Sequence, residues 1–324
     1  MYLGYMAVIG GTKTGRWSFS TSPKWRGSSP QTIPHVMRLM YEPPKGSVFW
    51  QRDLSQAEVR IVAWLADCKF LLEVFAQNKY KIHNIVGGMV FGKAPSEIES
   101  DTLEYDTSKS IVHAYDYMMG YKRLAVEANI SNTLAQEVLE RRYGPKVPEI
   151  SNWHRAIKET VIKTGRLTTP MGRVRVAFKS CSVLTHTGQL PDEYWRDLVS
   201  YIPQSTVPDA LNEGMLKCYH ELPWAKWHQQ GHDSYLASGT PERTGEFFEK
   251  SEEFARVPFI IKGRECMIPS EFKWGYLWGA MLKYKPGEDT SYEAWKERCE
   301  TEKDRKGRHV FDESRIKENL YSLF

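Results

Sequence analysis

The chain has 324 residues, 41% hydrophobic and 26% charged, which is enough to bury a core and form one or two lobes. Net charge is only +4, from 44 basic and 40 acidic residues, so the overall balance neither demands nor excludes a nucleic-acid partner. Five scattered cysteines, Cys68, Cys181, Cys218, Cys266 and Cys299, form no Cys-x-x-Cys pair, which disfavours structural zinc or a disulfide framework. No basic leader precedes the N-terminal apolar residues, and no segment approaches the roughly 20 apolar residues of a membrane span, so the expectation is a cytoplasmic protein.

The opening apolar run leads into Gly10-Gly11-Thr12-Lys13-Thr14-Gly15-Arg16-Trp17-Ser18. Glycines and hydroxyls around Lys13 and Arg16 suit a turn that approaches a phosphate backbone, a weak signal by itself. Residues 18–29 are rich in Ser, Pro, Lys and Arg and read as a solvated connection. Pro30-Gln31-Thr32-Ile33-Pro34 and Arg38 follow. Next, Val48-Phe49-Trp50-Gln51-Arg52-Asp53-Leu54 is a run of β-formers that carries one carboxylate near its end, and Ala57, Ile61, Trp64 and Leu65 then share a helical stripe. That pattern is strand, turn, helix, with Asp53 at the strand's mouth. An Asp there either caps the helix or is kept for chemistry.

Phe70 to Phe75 and Ile82 to Gly92 read as further helices, His83 opening the second, and residues 93–106 as an acidic surface connection. Lys109, His113, Tyr117 and Tyr121 recur every four residues, so a helix sets them on one face, with Lys109 and Tyr117 about 12 Å apart. Such a stripe is either core or a nucleotide-length array with a cation at one end and a ring at the other. Residues 131–166 read as two helices split near Gly144-Pro145, and Thr169-Pro170-Met171-Gly172-Arg173-Val174-Arg175 as a turn with two arginines. Arg196 precedes Ile202-Pro203-Gln204-Ser205-Thr206-Val207-Pro208-Asp209. Trp227-His228-Gln229-Gln230-Gly231-His232-Asp233-Ser234-Tyr235-Leu236 reads as a hairpin with Asp233 at its tip. Beyond Lys283 the sequence is charged and irregular, a surface helix or a loose tail.

Asp53-Leu54-Ser55-Gln56-Ala57-Glu58-Val59-Arg60 resembles motif A of the family A (DNA polymerase I-like) DNA polymerases. The segment from Lys109 to Tyr117 is similar to motif B, and Gln230-Gly231-His232-Asp233-Ser234 to motif C. The resemblance extends to Thr12-Lys13-Thr14-Gly15-Arg16, to Pro30-Gln31-Thr32-Ile33-Pro34, to His83 with Phe91-Gly92, to Thr169 through Arg175, and to Arg196 with Gln204 and Asp209. It covers about residues 5 to 280 in the family's order. It implies an α+β polymerase right-hand fold, an antiparallel-sheet palm with helical fingers. The expected division is palm in 1–66 and 196–285, fingers in 67–195, and a charged tail in 286–324.

The resemblance also implies roles. Asp53 and Asp233, with the carbonyl of Leu54, hold two Mg²⁺ ions about 3.5 to 4 Å apart (Mn²⁺ substituting) for in-line attack of a primer 3'-hydroxyl on an α-phosphate. Two bare carboxylates about 4 Å apart repel by about 4 kcal/mol at an effective dielectric of 20, which itself argues for a cation. Lys109 and His83 carry triphosphate charge, Gln56, His113 and Tyr117 complete the nucleotide site, and Glu58 packs where a ribose 2'-hydroxyl would sit. Arg16, Gln31, Arg173, Arg196, Gln204, Gln230 and His232 are the implied DNA contacts. The partners implied are primer-template DNA and dNTPs.

Several residues depart from the family pattern. Tyr105 stands where an Arg is usual, His113 where a Phe or Tyr is usual, Leu54 replaces a Tyr, and Ser234 replaces the motif C Glu. His-Asp-Ser at motif C is shared with single-subunit RNA polymerases, whereas Glu58 speaks for DNA synthesis. The sequence starts where palm succeeds thumb, so the expectation is a fragment or one chain of a split, phage-like polymerase whose thumb and exonuclease lie on another chain. The alternatives are an RNA-synthesising relative and a non-catalytic DNA-binding subunit that kept the fold.

Overall fold

The computed structural model describes residues 5–21, 29–100, 102–177 and 190–302. The sequence readings for residues 22–28, Cys181 and the tail from residue 303 lie outside them. In chain order the elements are β1 (Tyr5–Val8), β2 (Ser18–Thr21), β3 (Val48–Leu54), α1 (Ala57–Ala66), α2 (Lys69–Gln77), α3 (Ile82–Phe91), α4 (Leu103–Asp116), α5 (Tyr121–Glu127) and α6 (Asn132–Glu137). A wide turn, Val138–Arg142, extends α6, and α7 (Pro148–Thr164), β4 (Arg166–Thr168), β5 (Val174–Val176) and α8 (Asp192–Glu221) follow. The chain continues through β6 (Lys226–Gln230), β7 (Ser234–Gly239), α9 (Thr244–Ala255), β8 (Phe259–Ile261), β9 (Arg264–Cys266), β10 (Ser270–Gly275), β11 (Leu282–Lys283) and α10 (Tyr292–Thr301).

The chain divides into two compact units, the first drawn from Met1–Ser55, Pro208–Pro258 and Met267–Phe324, the second from Gln56–Val207 and Phe259–Cys266. The first is built on a five-stranded antiparallel sheet in the order β11-β10-β3-β7-β6. β3 is central because its apolar residues can be covered on both sides. Trp50 is fully buried, stacked on Phe247 of α9 at 4.5 Å, and its indole N–H donates to Thr244 Oγ1 at 3.0 Å. Burying such a side chain stabilises by about 3 kcal/mol. The approach is close enough that a Cβ on Gly239 would meet Trp50 at 2.5 Å.

Arg52 lies on the same face at 1% exposure, a cation in a core. It is accommodated because every donor finds an acceptor: Ser251 Oγ, the Phe248 carbonyl and Glu252 Oε2, and the guanidinium also lies 5.2 Å and 4.8 Å from the Phe248 and Phe272 ring centres. Strand alternation then turns Phe49, Gln51 and Asp53 to the opposite face. The charged stretch after Lys283 packs on this unit through residue 302: Trp295 of α10 is 1% exposed and lies 5.2 Å from Trp274. A loose tail is thus not what residues 286–302 form, because Trp295 and Cys299 recur one helical turn apart and both are buried.

The second unit is helical around one core that includes Val59, Val62, Leu71, Ile82, Val86, Ile111, Val112, Leu124, Val138, Ile150 and Val161. α3 and α4 approach closely at Gly87, where a Cβ would meet Ser108 Oγ at 2.8 Å. Thr102 caps α4 by accepting from the Tyr105 N–H at 3.2 Å, so the surface connection ends at residue 102 and not at 106. The helix also stops earlier than the four-residue recurrence implied. Tyr117 is its C-cap, Met118 takes a left-handed φ of 57°, and Tyr121 opens α5 instead of continuing α4. β8 and β9 form a hairpin tied to this unit by Arg264 to Asp67 at 2.7 Å and by Phe259 against Trp64. Among the described residues, no helix is long and apolar enough to cross a membrane.

Candidate active site

In the sheet unit, Asp53 lies in β3 and does not cap α1. The N-cap is Gln56, in a left-handed conformation with no side-chain bond to the helix. Antiparallel register sets Asp53 opposite Ser234 of β7 on one side and Glu271 of β10 on the other, so the three side chains share a face. The β6–β7 hairpin closes through Gly231 N–H to the Ser234 carbonyl, with His232 and Asp233 at its tip. Asp233 is exposed, and its carbonyl accepts the Leu54 N–H at 2.7 Å, which fixes the tip against the end of β3. Both aspartates line one cavity of about 210 Å³, together with Gln31, Arg38, Gln229, His232 and Trp278. Arg38 lies over the Trp278 ring at 4.6 Å, and burial lowers its pKa.

Aspartate carboxylates and a backbone carbonyl are hard oxygen donors, and one or two carboxylates with water and phosphate oxygens are what Mg²⁺ takes from a protein. Asp53, Asp233 and the Leu54 carbonyl therefore fit a hard divalent cation. No group of three or more His, Cys, Asp or Glu side chains gathers as a metal site among the described residues, so the remaining ligands of such a cation are water or substrate oxygens.

In the helical unit, Glu58 sits in the first turn of α1 and accepts a hydrogen bond from the Tyr117 phenol. The Tyr117 ring stacks on His113 at 6.0 Å and 19°, so the early end of α4 leaves it in line with Lys109 and His113. Lys109 is exposed. His83 lies 6.2 Å from His113 and 5.5 Å from Tyr105, ring to ring. It is 5% exposed, and neither ring nitrogen is hydrogen-bonded among the described residues. Burial first, then the positive fields of His113, Lys109 and Lys81, lower its pKa to about 3, so it is a neutral imidazole at ordinary pH. Gln56 uses its side-chain carbonyl to accept the Ile82 N–H at 2.8 Å, capping α3.

The remaining candidates occupy other elements. Arg16 follows the β1–β2 turn, where Thr12 Oγ1 donates to its carbonyl at 3.1 Å. Gln31 donates through Nε2 to the Gln230 carbonyl at 3.0 Å, while the Gln230 side chain turns away, 2% exposed, to bond Asn212. Gln229 faces the cavity instead. Arg173 lies in the β4–β5 turn, its N–H bonded to Thr169 Oγ1 at 3.0 Å. Arg196 and Gln204 are half-buried on α8. Glu271 escaped the sequence reading, although the alternation in Ser270-Glu271-Phe272-Lys273-Trp274 marks a strand that turns Glu271 and Lys273 to one face. Its carboxylate is held by Ser55 Oγ at 3.3 Å and Lys283 Nζ at 2.9 Å.

The family model for DNA polymerase family A matches residues 8–251. The chain belongs to DNA polymerase family A. Among its relatives, DNA polymerase I of Helicobacter pylori (strain ATCC 700392 / 26695) is 31% identical over 190 residues, which are 57% of this chain and 20% of that protein. The thermostable DNA polymerase I of Thermus thermophilus (strain ATCC 27634) is 26% identical over 245 residues, 75% of this chain and 28% of that one. This family A chain thus matches between a fifth and a third of the length of these relatives. Among solved structures, the POL domain of Pol1 from M. smegmatis, in complex with DNA primer-template and dNTP, superposes with a TM-score of 0.71 at 20% identity, over 85% of this chain and 48% of that one. The likeness establishes the polymerase right-hand fold.

Proposed function

We propose that this family A chain is a template-directed DNA polymerase that adds deoxynucleotides to a primer 3'-hydroxyl, with the five-stranded sheet in its palm and α2 to α7 in its fingers. The observation that carries the reading is the joining of the β3 end to the hairpin tip, Leu54 N–H to the Asp233 carbonyl at 2.7 Å, which holds Asp53 and Asp233 at one cavity. Asp53, Asp233 and the Leu54 carbonyl hold Mg²⁺, two ions in the reading the sequence favours. A cation held there would supply Lewis-acid chemistry, activating a hydroxyl and neutralising phosphate charge.

The chain's own groups do the rest. Lys109, exposed on α4, meets triphosphate oxygens, and neutral His83 offers a hydrogen-bond donor without a second charge. The Glu58 carboxylate, oriented by Tyr117, occupies the space a 2'-hydroxyl requires, while His113 packs by the sugar and offers its 3'-hydroxyl a hydrogen bond. Arg16, Gln31, His232, Arg173, Arg196 and Gln204 contact the duplex. The M. smegmatis relative is solved with primer-template and dNTP, and the same partners are proposed here. Extension of a primed template by the purified chain with Mg²⁺ tests this, with dNTPs in one reaction and rNTPs in another. Extension with dNTPs alone is expected, and extension with rNTPs would overturn the role given to Glu58.

A further inference from the structure

We propose that Asp116, the fully buried last residue of α4, is a positioning residue whose side chain decides whether the turn that presents Tyr117 to Glu58 stays closed. Asp116 is the last residue of α4 and is 0% exposed, and neither carboxyl oxygen has a hydrogen-bond partner among the described residues. An ionised carboxylate in such a place has lost its water without gaining donors.

Its surroundings make the charge still less tolerable. The C-terminal end of α4 presents backbone carbonyls, whose partial charge is negative. Glu58, from α1, adds a like charge, and burial with that charge holds the carboxyl well above the usual carboxylate range. The other groups facing the site are acidic or neutral: Cys68 before α2, Tyr115 on α4, Tyr143 after the wide turn, and Glu149 and His154 on α7. His154 meets the Asp116 backbone carbonyl at 2.8 Å, and burial lowers its pKa to about 4, so it brings no positive charge; Lys158 acts on that ring. The Tyr143 hydroxyl is likewise buried without a partner among the described residues.

The consequence falls on the next residue. Tyr117 closes α4 through its N–H to the His113 carbonyl, Met118 turns left-handed, and the Met119 N–H returns to the Ala114 carbonyl at 2.7 Å. An ionised Asp116 can reach water only if this turn opens, and opening it withdraws the Tyr117 phenol from Glu58. The burial of Asp116 beside the turn stands on the fold, whereas its effect on nucleotide choice rests on the polymerase reading.

The test compares the full chain with Asp116→Asn, which keeps the shape and cannot ionise. Infrared spectra are expected to show the carbonyl stretch of a protonated carboxyl in the wild type at about pH 6, above the ordinary aspartate range, absent from the variant, and a wild type without that band overturns the proposal. As pH rises above the ordinary carboxyl value of about 4, the unfolding midpoint of the wild type is expected to fall relative to Asp116→Asn, and parallel midpoints overturn the proposal. Should the variant not fold, the band's titration in the wild type alone decides. Hydrogen exchange at residues 117–121 is expected to rise as the band disappears, whether or not the chain extends primers. Unchanged exchange removes the link to Tyr117. In an active chain, discrimination against rNTPs is expected to weaken over the same pH range in the wild type and to hold in Asp116→Asn.

Discussion

The Tyr117 phenol donates its hydrogen bond to Glu58 Oε2, joining the turn after α4 to the first turn of α1 within the helical unit. The bond fixes the rotamer of the carboxylate proposed to exclude a ribose 2'-hydroxyl. A hydrogen bond to a charged acceptor is worth about 1.5–3 kcal/mol. Tyr117→Phe is therefore expected to weaken discrimination between dNTP and rNTP by about tenfold or more, measured as the ratio of single-nucleotide incorporation efficiencies. An unchanged ratio would mean that Glu58 is oriented by something else.

Removing the Arg52 side chain should be costly out of proportion to its surface. Arg52→Leu strips Glu252 of its 2.6 Å partner, leaving it Ser270 and Arg256, and removes the guanidinium donors from Ser251 Oγ and from the Phe248 carbonyl, which keeps only Ser251 Oγ among side-chain donors of the described residues. Because Glu252 keeps some contact with water, the expected loss is near the low end for a broken buried pair, about 3 kcal/mol. Urea denaturation of the variant against the wild type reads it directly; a loss below about 1 kcal/mol would show that the strand is anchored by its aromatic contacts alone.

Acid should destabilise the helical unit well before the carboxylates titrate. Burial lowers the pKa of His154 to about 4 and, with nearby positive charge, that of His83 to about 3. An unfolded His titrates near 6.5, so between that value and the folded one the unfolded chain binds more protons. The stabilisation is complete above about pH 6.5 and is lost as pH falls towards 4, by up to about 1.4 kcal/mol per unit for each ring. Denaturation curves measured across this range should slope accordingly, and His154→Gln should remove its share of the slope.

A Cβ at residue 88 would stand 2.7 Å from the Lys93 carbonyl, which is backbone and cannot swing aside. Gly88→Ala is expected to cost about 1–3 kcal/mol by forcing the loop after α3 outward. A thermal melt of this variant at wild-type stability would show that the loop yields without cost.

Much of the fold was legible because β3 advertises itself: an apolar run of β-formers carrying one carboxylate near its end, followed by Ala57, Ile61, Trp64 and Leu65 on a helical stripe, reads as strand, turn, helix. The hairpin tip at Asp233 was equally plain from Gly231 between two β-rich segments. What stayed hidden depends on contacts distant in sequence. Nothing local says that α4 stops at Asp116, since no proline intervenes and the left-handed Met118 is held by the Met119 return to Ala114. Glu271 acquires its place beside Asp53 only through strand register, more than 200 positions away in sequence. The buried Trp295 sits in so charged a neighbourhood that composition alone pointed to solvent.

The central claim is that Asp53 carries chemistry and not merely structure. The most direct measurement is single-nucleotide extension and primer-template affinity for the wild type and Asp53→Asn, side by side with Mg²⁺. Asp53→Asn is expected to bind DNA about as well and to lose extension by at least about a thousandfold, as when a group acting mainly in the transition state is removed. Extension retained within about tenfold, with DNA binding intact, would contradict it.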